Sequence, residues 1–130
     1  MTINEVIELV DAQRPNAYDD KVKIHWLDQL DRMVWREICV NYAEIDTTQG
    51  FDGYSEDQDG STDLLIPDAF KMVYVYWLLA MIDFANQEMS RYTNSMIMFN
   101  TAYSDFANFC NRTYTYKGKR ITGADWRVIR

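Results

Sequence analysis

A chain of 130 residues with 48% apolar, 15% aromatic and 25% charged residues has the size and make-up of one folded domain. The aromatic content excludes a disordered chain, because aromatic side chains are what a chain buries to offset the entropy of ordering. A formal net charge of −7 excludes a surface built as a whole to hold nucleic acid.

Thr2 and Glu5 stand at the capping-box spacing, in which side chains satisfy free amides at a helix start. Ile3, Val6, Ile7 and Val10 follow on one helical face, and Pro15 ends the pattern. A second helix is predicted from Asp19 or Asp20, where a carboxylate favours the positive end of the helix dipole, to about Tyr42. Leu27, Leu30, Val34 and Ile38 make its inner face, widened by Trp26, Met33 and Trp35.

Between Glu44 and Leu65 the acids Glu44, Asp46, Asp52, Glu56, Asp57, Asp59 and Asp63 meet no Lys or Arg, and Gly50, Gly53 and Gly60 break any regular pattern. Segment 44–66 therefore reads as a long solvated loop with room for a short hairpin. Loops of more than roughly 12–15 residues are uncommon in compact domains and are usually functional or disordered.

Pro67 and Asp68 open a third helix, predicted to reach about Ser90. Its stretch from Met72 to Ile82 is apolar on every side, as in a central helix. That run falls short of the roughly 20 apolar residues of a membrane span, so no membrane partner is expected. In the fourth helix, about Tyr92 to Arg112, the residues Tyr92, Met96, Phe99, Tyr103, Phe106 and Cys110 alternate steps of four and three, as in a helix laid along its neighbours. The fold class is thus all-α: a four-helix bundle-like domain with a long acidic loop between helices two and three and a C-terminal docking tail.

The residues that carry chemistry elsewhere are sparse. Cys39 and Cys110 fit no metal spacing and sit in apolar helical patterns, which predicts buried reduced thiols. His25 is the only histidine and lies alone on a helix beside Trp26. An EF-hand register through Asp57, Asp59 and Gly60 puts Ser55 at the first position and Ile66 where a bidentate Glu is required. The Met and aromatic stripe of helices three and four comes without the Glu-x-x-His ligands of a bundle cofactor site, so it reads as core. No metal, no cofactor and no enzymatic activity are expected. Glu5 and Glu8 interrupt the start and no basic stretch precedes them, so no signal peptide is predicted there.

Two features point outward. Beyond Thr113, Lys117, Lys119, Arg120, Arg127 and Arg130 face a single acid, Asp125, so segment 117–130 is a basic tail on an acidic body (1–116) and suits docking on something acidic. Trp35, Trp77, Tyr74, Ile97 and Phe109 fall off the main stripes, which suggests apolar surface for a partner and hence a homo-oligomer.

The series Trp26-Leu27-x-x-Leu30-Asp31-x-x-Val34-x-x-Glu37-Ile38 resembles the second helix of head–tail connector (adaptor, or head-completion) proteins of long-tailed phages and prophages. Tyr76-x-Leu78-x-x-x-Ile82-Asp83-x-x-Asn86-x-Glu88-x-x-x-Tyr92-x-Asn94, then Phe99-Asn100-x-x-Tyr103-x-x-Phe106, is similar to that family's third and fourth helices. The resemblance implies a structural virion protein at the head–tail junction, present in the host cytoplasm during assembly. It implies a ring, dodecameric on the portal, that extends the DNA channel and seats a stopper or tail-completion protein. DNA would pass without specific binding. By location, Lys117, Lys119, Arg120, Trp126, Arg127 and Arg130 would grip the portal, and Asp52, Glu56, Asp57, Asp59 and Asp63 would line the channel and repel phosphate. The alternative is a small helical adaptor, or DNA mimic, that binds a host partner.

Overall fold

A computed structural model describes residues 1–117 and shows four helices: α1 (Ile3–Gln13), α2 (Asp20–Glu37), α3 (Met72–Ala85) and α4 (Met89–Thr113). The domain is all-α and bundle-like, and among the described residues there are only two isolated β-bridges, Thr2 with Asp63 and Tyr42 with Tyr116. Segment 44–66 is thus a loop, as predicted, and its described residues form no hairpin.

α1 starts where the capping pair places it. The Thr2 hydroxyl accepts the Glu5 amide, and Ile3, Val6, Ile7 and Val10 are the buried residues of the helix. α2 buries Ile24, Leu27, Leu30 and Val34, but ends at Glu37 instead of continuing to Tyr42. Its Asn41 side chain donates to the carbonyls of Glu37 (2.7 Å) and Arg36 (3.4 Å), taking over helix-end acceptors. A 3₁₀ turn, Cys39–Asn41, follows.

α3 is the central helix and packs against α1, α2 and, most extensively, α4. Val73, Tyr74, Val75, Leu78, Leu79, Ala80 and Ile82 are all buried, which its all-round apolarity foretold. It is shorter than expected at both ends. A 3₁₀ turn, Asp68–Phe70, precedes it, and Gln87 takes a left-handed backbone (φ 59°) that breaks the chain into α4. The α4 stripe packs as the spacing predicts: Phe99, Phe106 and Cys110 are buried, and Tyr92, Met96 and Tyr103 are half-buried.

The surplus of apolar surface is smaller than the pattern suggested. Tyr74 is fully buried, Trp35 packs on Phe51, Phe109 packs on Phe70, and the Trp77 indole N–H donates to the Trp26 carbonyl at 2.8 Å. Of the five residues off the stripes, Ile97 alone is exposed, at 56%. Helical periodicity missed the other four because their partners come from the loop and from neighbouring helices.

Among the described residues, three charged ones lie in the interior. Asp83 is buried within α3, where it pairs with Arg14 and accepts the Ser95 hydroxyl at 3.0 Å. Lys23 is 2% exposed and pairs with Asp11 at 2.9 Å, so α1 and α2 are pinned by charge as well as packing. The third, Asp31, organises the loop.

Candidate functional site: a pinned acidic loop

Asp31 sits on α2 between Leu30 and Val34, on the face that packs inward, and is wholly buried. A lone buried carboxylate is costly, so it must be met by donors. The Tyr74 hydroxyl of α3 donates to Oδ1 at 2.8 Å, while the Tyr54 hydroxyl and the Leu65 amide (3.1 Å), both from the loop, donate to Oδ2. The Ile66 amide donates in turn to the Tyr74 hydroxyl at 2.7 Å. One carboxylate thus ties α2, α3 and both halves of the loop. Burial pushes its pKa up to about 6 despite the three donors, which act the other way. Burial and the neighbouring Asp31 charge also push the Tyr54 hydroxyl well up, so it stays a donor.

A second clamp lies one turn earlier. Asp28 Oδ1 accepts the Tyr54 amide at 2.7 Å, and Arg32 bridges Asp28 (3.0 Å) to the Asp52 carbonyl (2.7 Å). Gly53 passes directly over these side chains with φ 86°, and a Cβ there would collide with Asp28 and Arg32. Further along, the loop is laced to the start of α1. The amides of Ile3 and Asn4 donate to the carbonyls of Thr62 (3.1 Å) and Gly60 (3.0 Å), and the Leu64 amide donates to Met1 (2.9 Å).

The loop is therefore solvated at its carboxylates and fixed at its backbone. Asp52, Glu56, Asp57, Asp59 and Asp63 are all exposed. The Ser61 amide and hydroxyl bond to Asp59 and hold its carboxyl below the usual range, and Thr48 does the same for Asp46. These two carboxylates stay charged under mildly acidic conditions.

The segment after α4 is fixed to the turn that follows α2. After α4, the Ala43 amide donates to the Thr115 carbonyl (2.9 Å), and the Lys117 amide donates to the Asn41 carbonyl (2.8 Å). Tyr42 packs between the rings of Tyr114 and Tyr116. Lys117 is exposed; Lys119, Arg120, Trp126, Arg127 and Arg130 lie outside the described residues.

No metal or nucleophile centre assembles from the remaining candidates. Among the described residues no group of three or more His, Cys, Asp or Glu side chains is placed to hold a metal ion. Ile66, at the closing EF-hand position, is fully buried and cannot present a ligand. His25 is exposed, with Gln29 as its polar neighbour at 3.4 Å. Cys39 and Cys110 are free and buried, and burial pushes the Cys39 thiol up to about 11, away from a reactive thiolate. None of the described helices is long and apolar enough to cross a membrane.

Sequence reasoning passed over Asp31 as a site, although the signal was there: a carboxylate in line with Leu27, Leu30 and Val34 must find buried donors. No protein-family model, no curated protein and no solved structure matches the chain. Its class is therefore defined by architecture: an all-α, bundle-like domain whose long acidic loop is clamped to α2.

Proposed function

We propose that the chain is a structural, non-enzymatic subunit of a phage head–tail junction, a connector that assembles as a ring beneath the portal. The observation that carries this reading is the work done by three polar residues within the resemblance. Asp31 holds the loop, Asp83 makes the buried pair with Arg14, and the Asn86 side chain accepts the Tyr18 hydroxyl at 2.7 Å. Residues that match the connector pattern thus set the relation between helices here, as a shared architecture requires.

In this reading the exposed carboxylates of Asp52, Glu56, Asp57, Asp59 and Asp63 face the DNA channel. A negative wall on a fixed backbone repels phosphate and lets DNA slide without adhering. The basic tail, with Lys117, Lys119, Arg120, Trp126, Arg127 and Arg130, grips the portal. The ring, dodecameric on the portal, seats the stopper or tail-completion protein on its other side. The protein then resides in the virion, after assembly in the host cytoplasm.

The test is co-purification with the portal protein encoded by the same phage or prophage, comparing the full chain with one truncated after Tyr116. Binding that is lost on truncation supports the connector. Binding by neither, to a portal shown to be assembled, overturns it. The fixed display of five carboxylates also favours a second reading, a DNA mimic that occupies a basic host protein. That protein would then be displaced from DNA by this chain in a competition assay, and a connector would leave it bound.

A further inference from the structure

We infer that the chain's own C-terminal segment seats Trp126 in an apolar cavity beside Tyr114, where α4 ends. The cavity has a volume of about 240 Å³, and its walls include Ile45, Leu65, Pro67, Phe106, Phe109 and Tyr114. Sites for small molecules and cofactors run to roughly 300–1,000 Å³ and carry several convergent polar groups. This one is smaller, and among the described residues Glu44 is the only charged one that lines it, so it suits a single large apolar side chain.

The path of the chain identifies the occupant. Tyr114 is itself a wall of the cavity, and the Thr115 amide donates to the Glu44 carboxylate at 2.8 Å, so the start of the C-terminal segment is held at the cavity's edge. Trp126 is the only aromatic residue in 118–130. An extended chain spans at most roughly 3.3–3.6 Å per residue, so the tether 118–125 has ample reach to double back. A short tether also gives an effective concentration in the millimolar range, well above that of a second copy in dilute solution.

Charge agrees. Glu44 and Asp46 flank Ile45, and Asp68 follows Pro67, whereas Lys119, Arg120, Arg127 and Arg130 surround Trp126 with Asp125 as the one acid. The seated indole covers the face where Cys39 and Cys110 reach the cavity. This inference concerns the unassembled chain and stands whether or not the chain binds a portal.

The test replaces Trp126 in the full-length chain with the photo-crosslinking residue benzoylphenylalanine. Irradiation at low micromolar concentration, followed by peptide mapping, reads the contact. The expected result is an adduct within one chain, joining position 126 to the peptide around Phe106–Cys110 or to Ile45. The adduct should be lost in a Phe109→Asp background whose circular dichroism matches the parent. An adduct joining two chains, an adduct elsewhere on the body, or none at all would overturn the inference, and none of these readouts depends on the background variant folding.

Discussion

Tyr54 reaches from the acidic loop into the bundle and donates its hydroxyl proton to the Asp31 carboxylate, 23 residues earlier in the chain. The contact makes a polar group of α2 one anchor of a segment rich in glycines and mutually repelling carboxylates.

Tyr54→Phe and Tyr74→Phe each remove one donor from a buried carboxylate and leave its packing intact. Each should cost about 1–3 kcal/mol, and the double variant should depart from additivity because both act on one group. Urea unfolding of the four proteins measures this. Unchanged midpoints would mean that the loop is held by packing alone.

The raised pKa of Asp31 gives a pH dependence of known sign. The folded state holds the proton more tightly than the unfolded chain, where the group titrates near 3.8; its value in the fold is about 6. The resulting stability is present below pH ~4 and is lost as pH rises through 6. A shift of about two units corresponds to ~3 kcal/mol. The stability of the parent relative to Asp31→Asn should therefore improve by up to that amount between pH 7.5 and 4. Lowered groups such as Asp11, Asp46 and Asp59 act in the opposite direction in both proteins and cancel in the difference. A flat difference across that range would restore Asp31 to an ordinary carboxylate.

Arg14→Met leaves the buried Asp83 carboxylate with Ser95 as its remaining side-chain partner. Removing one member of a buried pair costs about 3–5 kcal/mol, and replacing both members with apolar residues costs much less. Arg14→Met should thus be rescued in part by a second change, Asp83→Leu. Thermal melts of the single and double variants decide it, and absence of rescue would mean that Asp83 matters through its bond to Ser95.

Neutralising Asp52, Glu56 and Asp57 to Asn, Gln and Asn should leave stability within about 0.5 kcal/mol, because all three are exposed. On the connector proposal the same triple change should slow DNA ejection or reduce DNA retention in assembled particles. Particles that package and eject like the parent would remove the channel-lining role.

Much of the architecture was legible because it is local. Thr2 and Glu5 marked the start of α1, the four-and-three spacing marked α4, and the uniform apolarity of Met72 to Ile82 marked the central helix. Helix ends were less legible: Asn41 closes α2 by bonding back to its last turn, and Gln87 closes α3 with a left-handed backbone, neither of which is the usual stop signal. The anchoring of the loop was illegible for a different reason. Asp31 meets Tyr54, Leu65 and Tyr74 at separations of 23, 34 and 43 residues, and no periodic pattern carries such distances. What remained visible was a carboxylate in an apolar stripe, which announces a buried partner without naming it.

Ala43 and Asn41 hold Thr115 and Lys117, so the segment after α4 is fastened to the turn that follows α2. Asp28, Asp31 and Arg32 of α2 itself hold the acidic loop. The helix and the turn at its end are thus a common spine for the loop and for the approach to the basic tail.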